Sequence, residues 1–274
     1  MQLSTKLFAR VGKQEITQYT IENDREMSLS FITFGARVQR LRLPSPHHPG
    51  GNPNLLLGYV TLQDYLERPG TFGAVLGPDL QDATSHPHNG WQNFNWQGDL
   101  QRHGDSATLI MSLRLPDGAD GLPGAREVKI AHTLDNDNHW TIDWWIETSE
   151  PVALRPTIDL AFALTGDPAQ TIMDQQLTLG GKPVEMPVVD RLTKETTATL
   201  TAPLWQLALE TDAPGLCVSS YPQISAVDNF NGIVGQPHIA AGLRPLVAPD
   251  DGALHLQPGE PWRQRTVITL ASTL

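Results

Sequence analysis

Cysteine is nearly absent from this chain: its 274 residues include one, Cys217. A lone thiol excludes a disulfide framework or a thiolate metal cluster within one chain. Positive charge is also scarce. Nineteen lysines and arginines stand against 30 aspartates and glutamates, a formal net charge of −11. Nucleic acid and anionic membranes both recruit clustered cations, so neither is expected as a main partner. No long apolar run occurs. The opening MQLSTKLFARVGKQE has neither the hydrophobic stretch of a signal peptide nor that of a membrane span, and a reducing cytoplasm is the expected compartment. A P-loop, a GxGxxG turn and a GxSxG elbow are all missing, so nothing implies a nucleotide or another cofactor. His47–His48 and the HPH run at His86–His88 lack a third ligand at a telling spacing, and no metal is expected.

What is present points to strands. Charged residues at 18% and hydrophobic ones at 39% describe a globular chain, and 23 glycines with 22 prolines fit many turns. Period-two alternation with β-branched and aromatic residues predicts strands at Glu15–Glu22, Met27–Phe34, Ala36–Leu43, Ala107–Leu115, Arg126–Leu134 and Trp140–Thr148. Further strands are expected at Leu55–Gly58, Phe72–Leu76, Val152–Leu164, Thr171–Leu179, Leu216–Ser220, Leu254–Leu256 and Arg265–Leu270. Thr61–Arg68 is the one early helical turn, with Thr61 as N-cap. Pro116–Gly124 is a long turn, Asp135–Asn138 a hairpin turn, and the stretch from Leu179 to Leu200 polar and turn-rich. No linker interrupts the pattern. The expectation is one all-β domain over 1–274 that stacks or closes its sheets to bury their faces.

The stretch Ser85–Trp96, SHPHNGWQNFNW, has the chemistry of a sugar site. Histidine exchanges protons near neutral pH, and aromatic faces among amides suit a sugar's apolar C–H faces and hydroxyl rim. The same residues also describe a surface loop leading into an aromatic strand. Trp140, Trp144 and Trp145 share one strand and are expected chiefly in the core.

The order of short motifs resembles the galactose mutarotase (aldose 1-epimerase) family. Phe34-Gly35-Ala36-Arg37-Val38-Gln39 is similar to its early "yGA" strand, and Leu56-Leu57-Gly58-Tyr59 with Tyr65-Leu66 to its "vLG(f/y)…Yl" segment. Phe72–Gly77 resembles "fGa-x-x-G". His88, Gly90, Phe94 and Trp96 fall on the "HGG…GF…W" loop, and Asp117-Gly118, Gly121 and Pro123-Gly124 on "SPDG-x-x-GyPG". Thr157, Phe162, Leu164 and Gly166 match "TnHsYFNLaG", and Pro258-Gly259-Glu260 with Arg265-Thr266 the closing strand. The resemblance spans about the whole chain and implies a large β-sandwich, the galactose mutarotase-like supersandwich.

It also implies a reaction, interconversion of sugar anomers. That reaction needs a base for the anomeric hydroxyl and an acid for the ring oxygen. In the family a glutamate is the base and a histidine of the "TnHsY" strand the acid. Here the acid's position falls on Asp159 and the base's on Arg244, a cation that cannot act as a base at neutral pH; no glutamate occurs between Glu210 and Glu260. The family's binding arginine and asparagine are missing from Gly77-Pro78-Asp79-Leu80-Gln81-Asp82-Ala83. The resemblance thus nominates Asp159, His88 and Arg244 at the catalytic positions, and Asp79, His86, His88, Asn89 and Trp91 as substrate contacts. Three readings follow. The cleft binds a hexose or hexose derivative with little or no mutarotation, Arg244 pairing with Asp159 or receiving a ligand carboxylate or phosphate. Alternatively Asp159 as base and His88 as acid still epimerise, or the fold is a non-catalytic scaffold. The expected partner is a small-molecule carbohydrate; oligomeric state is left open.

Overall fold

The computed structural model describes residues 1–45, 47, 52–68, 70–78, 90–167, 169–230 and 233–273. Among them the chain is a large all-β sandwich. An antiparallel sheet of four, β1 (Gln2–Val11), β2 (Gln14–Glu22), β3 (Ser28–Ile32) and β4 (Arg37–Arg42), runs in sequence order. After helix α1 (Leu62–Glu67) and the short β5 (Val75–Leu76) come β6 (Gln97–His103), β7 (Ser106–Leu115), β8 (Arg126–Asp135) and β9 (His139–Thr148). Next are β10 (Val152–Leu154), β11 (Thr157–Ile158), β12 (Ala161–Phe162), β13 (Gln176–Leu179), β14 (Lys182–Val184), β15 (Arg191–Thr193), β16 (Thr197–Thr201) and β17 (Trp205–Thr211). The chain ends through β18 (Leu216–Ser219), β19 (Asn229–Phe230), β20 (Ile233–Val234), β21 (Ala241–Pro245), β22 (Leu254–Leu256) and β23 (Trp262–Ser272). Nine of these form one antiparallel sheet in the order β14-β13-β16-β17-β23-β9-β8-β7-β6, and β12-β21-β18-β15 form another of four.

The large sheet follows from period-two patterning. Along β7 Ala107, Leu109, Met111, Leu113 and Leu115 are buried, and along β9 Trp140, Ile142, Trp144 and Ile146, while their neighbours face outward. Each buried leucine, isoleucine or methionine among them contributes roughly 1.5–3 kcal/mol by leaving water. The inner face meets the first sheet, where the Phe31 ring lies 4.7 Å from that of His132. Trp140 donates its indole N–H to His132 Nδ1 at 3.2 Å. Of the three tryptophans in β9, Trp140 and Trp144 are buried as expected; Trp145 is half-buried on the outer face with Lys129 Nζ 4.2 Å from its ring centroid. The β8–β9 hairpin closes at Asp135–Asn138. There Asp135 Oδ1 accepts the backbone N–H of Asp137 and His139 at 2.8 and 3.0 Å, and Asn138 takes the left-handed conformation that asparagine tolerates. Thr61 caps α1 by accepting the Asp64 N–H at 3.2 Å.

Several expectations need correction. The predicted strand Val152–Leu164 is three short strands in three sheets. Pro156 has no N–H to give a ladder, and the backbone then turns so that Asp159 N–H reaches the Ala74 carbonyl at 2.9 Å. The stretch from Leu179 to Leu200 is not simply turns, since it carries β14, β15 and most of β16. Strand β1 went unpredicted because, as an edge strand, it has an almost wholly unburied pattern with no alternation to read. Leu55–Gly58 contributes one isolated bridge, Leu56 to Phe162.

Candidate functional site

Two short strands set the site. β11 pairs antiparallel with β5, Thr157 opposite Leu76 and Ile158 opposite Val75. The next residue, Asp159, is fixed at both backbone groups, its N–H on Ala74 and its carbonyl accepting Gly73 N–H at 2.6 Å. Gly73 is needed there. Its φ is +72°, and a Cβ would run into the Val38 carbonyl oxygen.

The Asp159 side chain looks into a cavity of about 200 Å3 walled by β11, β18 and β21. Both its carboxylate oxygens are engaged. Thr71 donates its hydroxyl to Oδ2 at 2.6 Å and Tyr221 donates to Oδ1 at 2.5 Å. The Tyr221 backbone sits at φ +52°, a strained position for a bulky residue. Its ring passes over Gly242, where an added Cβ would stand 3.0 Å from Tyr221 Cε2. Burial, then the charge of Asp159 and the bond to it, push the Tyr221 hydroxyl well above the usual tyrosine pKa, and the positive charge of Arg244 pulls the other way. Tyr221 is therefore a neutral donor at physiological pH.

Arg244 lines the same cavity from β21, with Cys217 of β18 as its cross-strand partner. Asp159 and Arg244 thus line one space. Arg37, whose charge acts with that of Asp159, is wholly buried, its guanidinium donating to the Phe34 and Gln92 carbonyls at 2.7 and 2.9 Å and stacked on the Phe34 and Tyr65 rings. Burial lowers Arg37 to about 10, against the opposing pull of Tyr65 and Asp159, which still leaves it charged at neutral pH.

Trp91 does not join the cavity wall. It is fully buried, its indole N–H donated to Asp120 Oδ2 at 3.0 Å and its ring packed over Gly77. Asp120 is also buried and forms an ion pair with Arg126, which in turn donates to the carbonyls of Gly124 at 2.8 Å and Leu122 at 3.2 Å. The tight Asp117–Gly124 turn therefore supports Trp91 from beneath. Asp79, His86, His88 and Asn89 lie outside the described residues. Among the described residues no three His, Cys, Asp or Glu side chains cluster as metal ligands do, and no helix is long and apolar enough to cross a membrane.

Sequence reasoning missed Thr71 and Tyr221. They lie 88 and 62 positions from Asp159, and neither stands in a motif of its own.

No family model matches the chain. It is 24% identical over 188 residues to the aldose 1-epimerase of Streptococcus thermophilus, covering 60% of this chain and 53% of that protein. It is 23% identical over 198 residues to the maltose epimerase of Levilactobacillus brevis, covering 64% and 57%. The matched stretch therefore spans little more than half of these curated relatives. In structure the chain is similar to galactose 1-epimerase from Lactobacillus acidophilus, with a TM-score of 0.84 at 16% identity over 99% of both chains. It is also similar to an aldose epimerase homologue from C. elegans, with a TM-score of 0.78 at 17% identity over 93% and 98%.

Proposed function

Because the chain is a divergent relative of the aldose 1-epimerases and galactose mutarotases, with their fold, we propose that its cavity binds a hexose or hexose derivative and has lost most or all mutarotation. One observation carries this reading: Asp159 and Arg244 line a single cavity, and neither offers the acid–base pair the reaction needs. A carboxylate has about four acceptor sites. Thr71 and Tyr221 use one on each oxygen of Asp159, and the remaining sites suit sugar hydroxyls. Arg244 has donors only and cannot take the proton of an anomeric hydroxyl. Tyr221, held neutral and donating to Asp159, is a poor source of a proton for the ring oxygen. A space of about 200 Å3 suits one sugar ring better than an oligosaccharide.

Two measurements test the reading together. Thermal unfolding with D-glucose, D-galactose and their acidic and phosphorylated derivatives should show a ligand-dependent rise in Tm. Polarimetry of freshly dissolved α-D-glucose and α-D-galactose should show anomerisation little above buffer. No Tm response to any of these sugars would overturn the proposal. Anomerisation at an enzyme-like rate would instead favour Asp159 as a working base, and Asp159→Asn should then abolish it.

A further inference from the structure

A second, much smaller space adjoins the cavity. It measures about 10 Å3, room for one water-sized group. The large sheet lines it through Trp144 of β9, Leu209 of β17 and Ile268 of β23, and β11 and β21 complete it. The recess and the cavity share Thr157, Ile158, Leu160 and Leu243 as wall residues. The lining of the recess is mostly apolar, and two of its polar side chains are already engaged. Thr266 shares a hydrogen with Thr211 at 2.9 Å, and Gln264 donates its amide to the Leu246 carbonyl at 2.7 Å. Thr157 differs. It is buried, with 5% of its surface exposed, and its Oγ1 has no partner among the described residues. A buried hydroxyl without a partner is costly, and folded proteins ordinarily satisfy it with protein, water or ligand. A hexose has one arm suited to such a recess. Its ring hydroxyls sit directly on the ring, whereas the exocyclic hydroxymethyl carries its oxygen one carbon further out. The methylene suits apolar walls, and the hydroxyl can give or accept a hydrogen bond with a threonine.

We infer that the cavity seats a hexose with its C6 hydroxymethyl group in the recess, the C6 hydroxyl hydrogen-bonded to Thr157 Oγ1. This rests on the sugar-binding reading above and narrows it to hexoses with a free C6 hydroxyl, ahead of pentoses, 6-deoxyhexoses and hexose 6-phosphates. A phosphate is too large for a space of about 10 Å3. Thr157 is then a specificity determinant, because an analogue lacking the hydroxyl leaves a buried polar group of the site unpaired.

Isothermal titration calorimetry on the whole chain tests this with D-glucose and D-galactose, their 6-deoxy forms D-quinovose and D-fucose, the pentoses D-xylose and L-arabinose, and D-glucose 6-phosphate. The native protein should bind D-glucose or D-galactose about tenfold tighter than the 6-deoxy and pentose counterparts of that sugar, a difference of roughly 1.4 kcal/mol. It should bind the 6-phosphate more weakly than D-glucose. Thr157→Val keeps the branched shape that suits a strand and removes the hydroxyl. In that variant the preference over the 6-deoxy sugar should vanish or reverse, while affinity for the 6-deoxy sugar itself is retained. Equal weakening of both sugars with the preference intact would make Thr157 structural and overturn its role. The native series decides the matter if the valine variant does not fold. A 6-deoxy sugar or a 6-phosphate bound by the native protein as tightly as its parent would overturn the inference and leave sugar binding standing. No binding of any sugar would overturn both this inference and the function it rests on.

Discussion

The two halves of this sandwich are built by different means. In the large sheet, β7, β8 and β9 each run for ten residues with strict alternation of buried and outward side chains. Around the cavity the strands are two to five residues long, and Asp190, Tyr221 and His238 sit at positive φ. Long ladders take their stability from repetition, so one altered contact is shared among many. The cavity wall takes its shape from single contacts, such as Tyr221 on Asp159 and the bare backbone of Gly242 beneath the Tyr221 ring. Strain and irregular backbone concentrate where the chain must place particular groups, and the regular half supplies the stability that tolerates them.

Substitutions that separate frame from site sharpen this contrast. The largest effect is expected at Asp120, whose carboxylate serves Arg126 and Trp91 together in a buried setting. Asp120→Ala strands a buried guanidinium and should cost about 3–5 kcal/mol in denaturant unfolding. An unchanged midpoint would remove that pair from the frame.

Acid should weaken the frame next, through His132. Burial lowers its pKa from the usual 6.5 of a histidine to about 3. Between those values the unfolded chain holds a proton on this ring that the folded chain does not, so stability rises with pH across the window and falls as pH drops from about 6.5 toward 3. The slope is at most about 1.4 kcal/mol per pH unit. His132→Gln keeps an acceptor for Trp140 and does not titrate. Its unfolding free energy should depend less steeply on pH in that range; equal slopes would show that His132 is not the group responsible.

Tyr221→Phe should behave oppositely to Asp120→Ala. Losing one hydroxyl from a half-buried carboxylate should cost about 1 kcal/mol of stability, yet shift sugar affinity measurably by calorimetry. A large stability loss with unchanged affinity would make Tyr221 part of the frame. The smallest effect is expected on the outer face of the large sheet, where Arg265 holds Asp143 through two bonds of 2.6 and 3.0 Å in exposed surroundings. Arg265→Ala should change the unfolding free energy by less than about 1 kcal/mol.

The same contrast explains what could be read from sequence. Ala107–Leu115, Arg126–Leu134 and Trp140–Thr148 announced themselves because alternation over ten residues leaves little choice of face. Val152–Leu164 did not, because its apolar run hides a proline and two changes of partner. Asp159 and Arg244 were singled out only through the resemblance, and both line one cavity. Thr71 and Tyr221 were illegible because nothing local marks a residue whose partner is 60 or more positions away. Trp91 was misplaced for the converse reason. Its aromatic neighbours suggested a sugar platform, whereas its partners Asp120 and Gly77 put it in the core.

The position of β23 has a consequence for how the protein is made. It lies between β17 and β9, joining β14-β13-β16-β17 to β9-β8-β7-β6. Its partners in β9 are more than a hundred positions earlier in the chain. At roughly 5–20 residues per second on the ribosome, the two half-sheets wait several seconds with open edges on β9 and β17, the kind of edge that recruits other chains. The outward faces of those edges carry Asp143 and Glu147 on β9 and Glu210 on β17, charges that discourage mispairing during that interval. The assembly step that completes the sheet therefore waits for β23 to be made, and slowing translation just before residue 262 should raise the aggregated fraction more than slowing it anywhere upstream of β9.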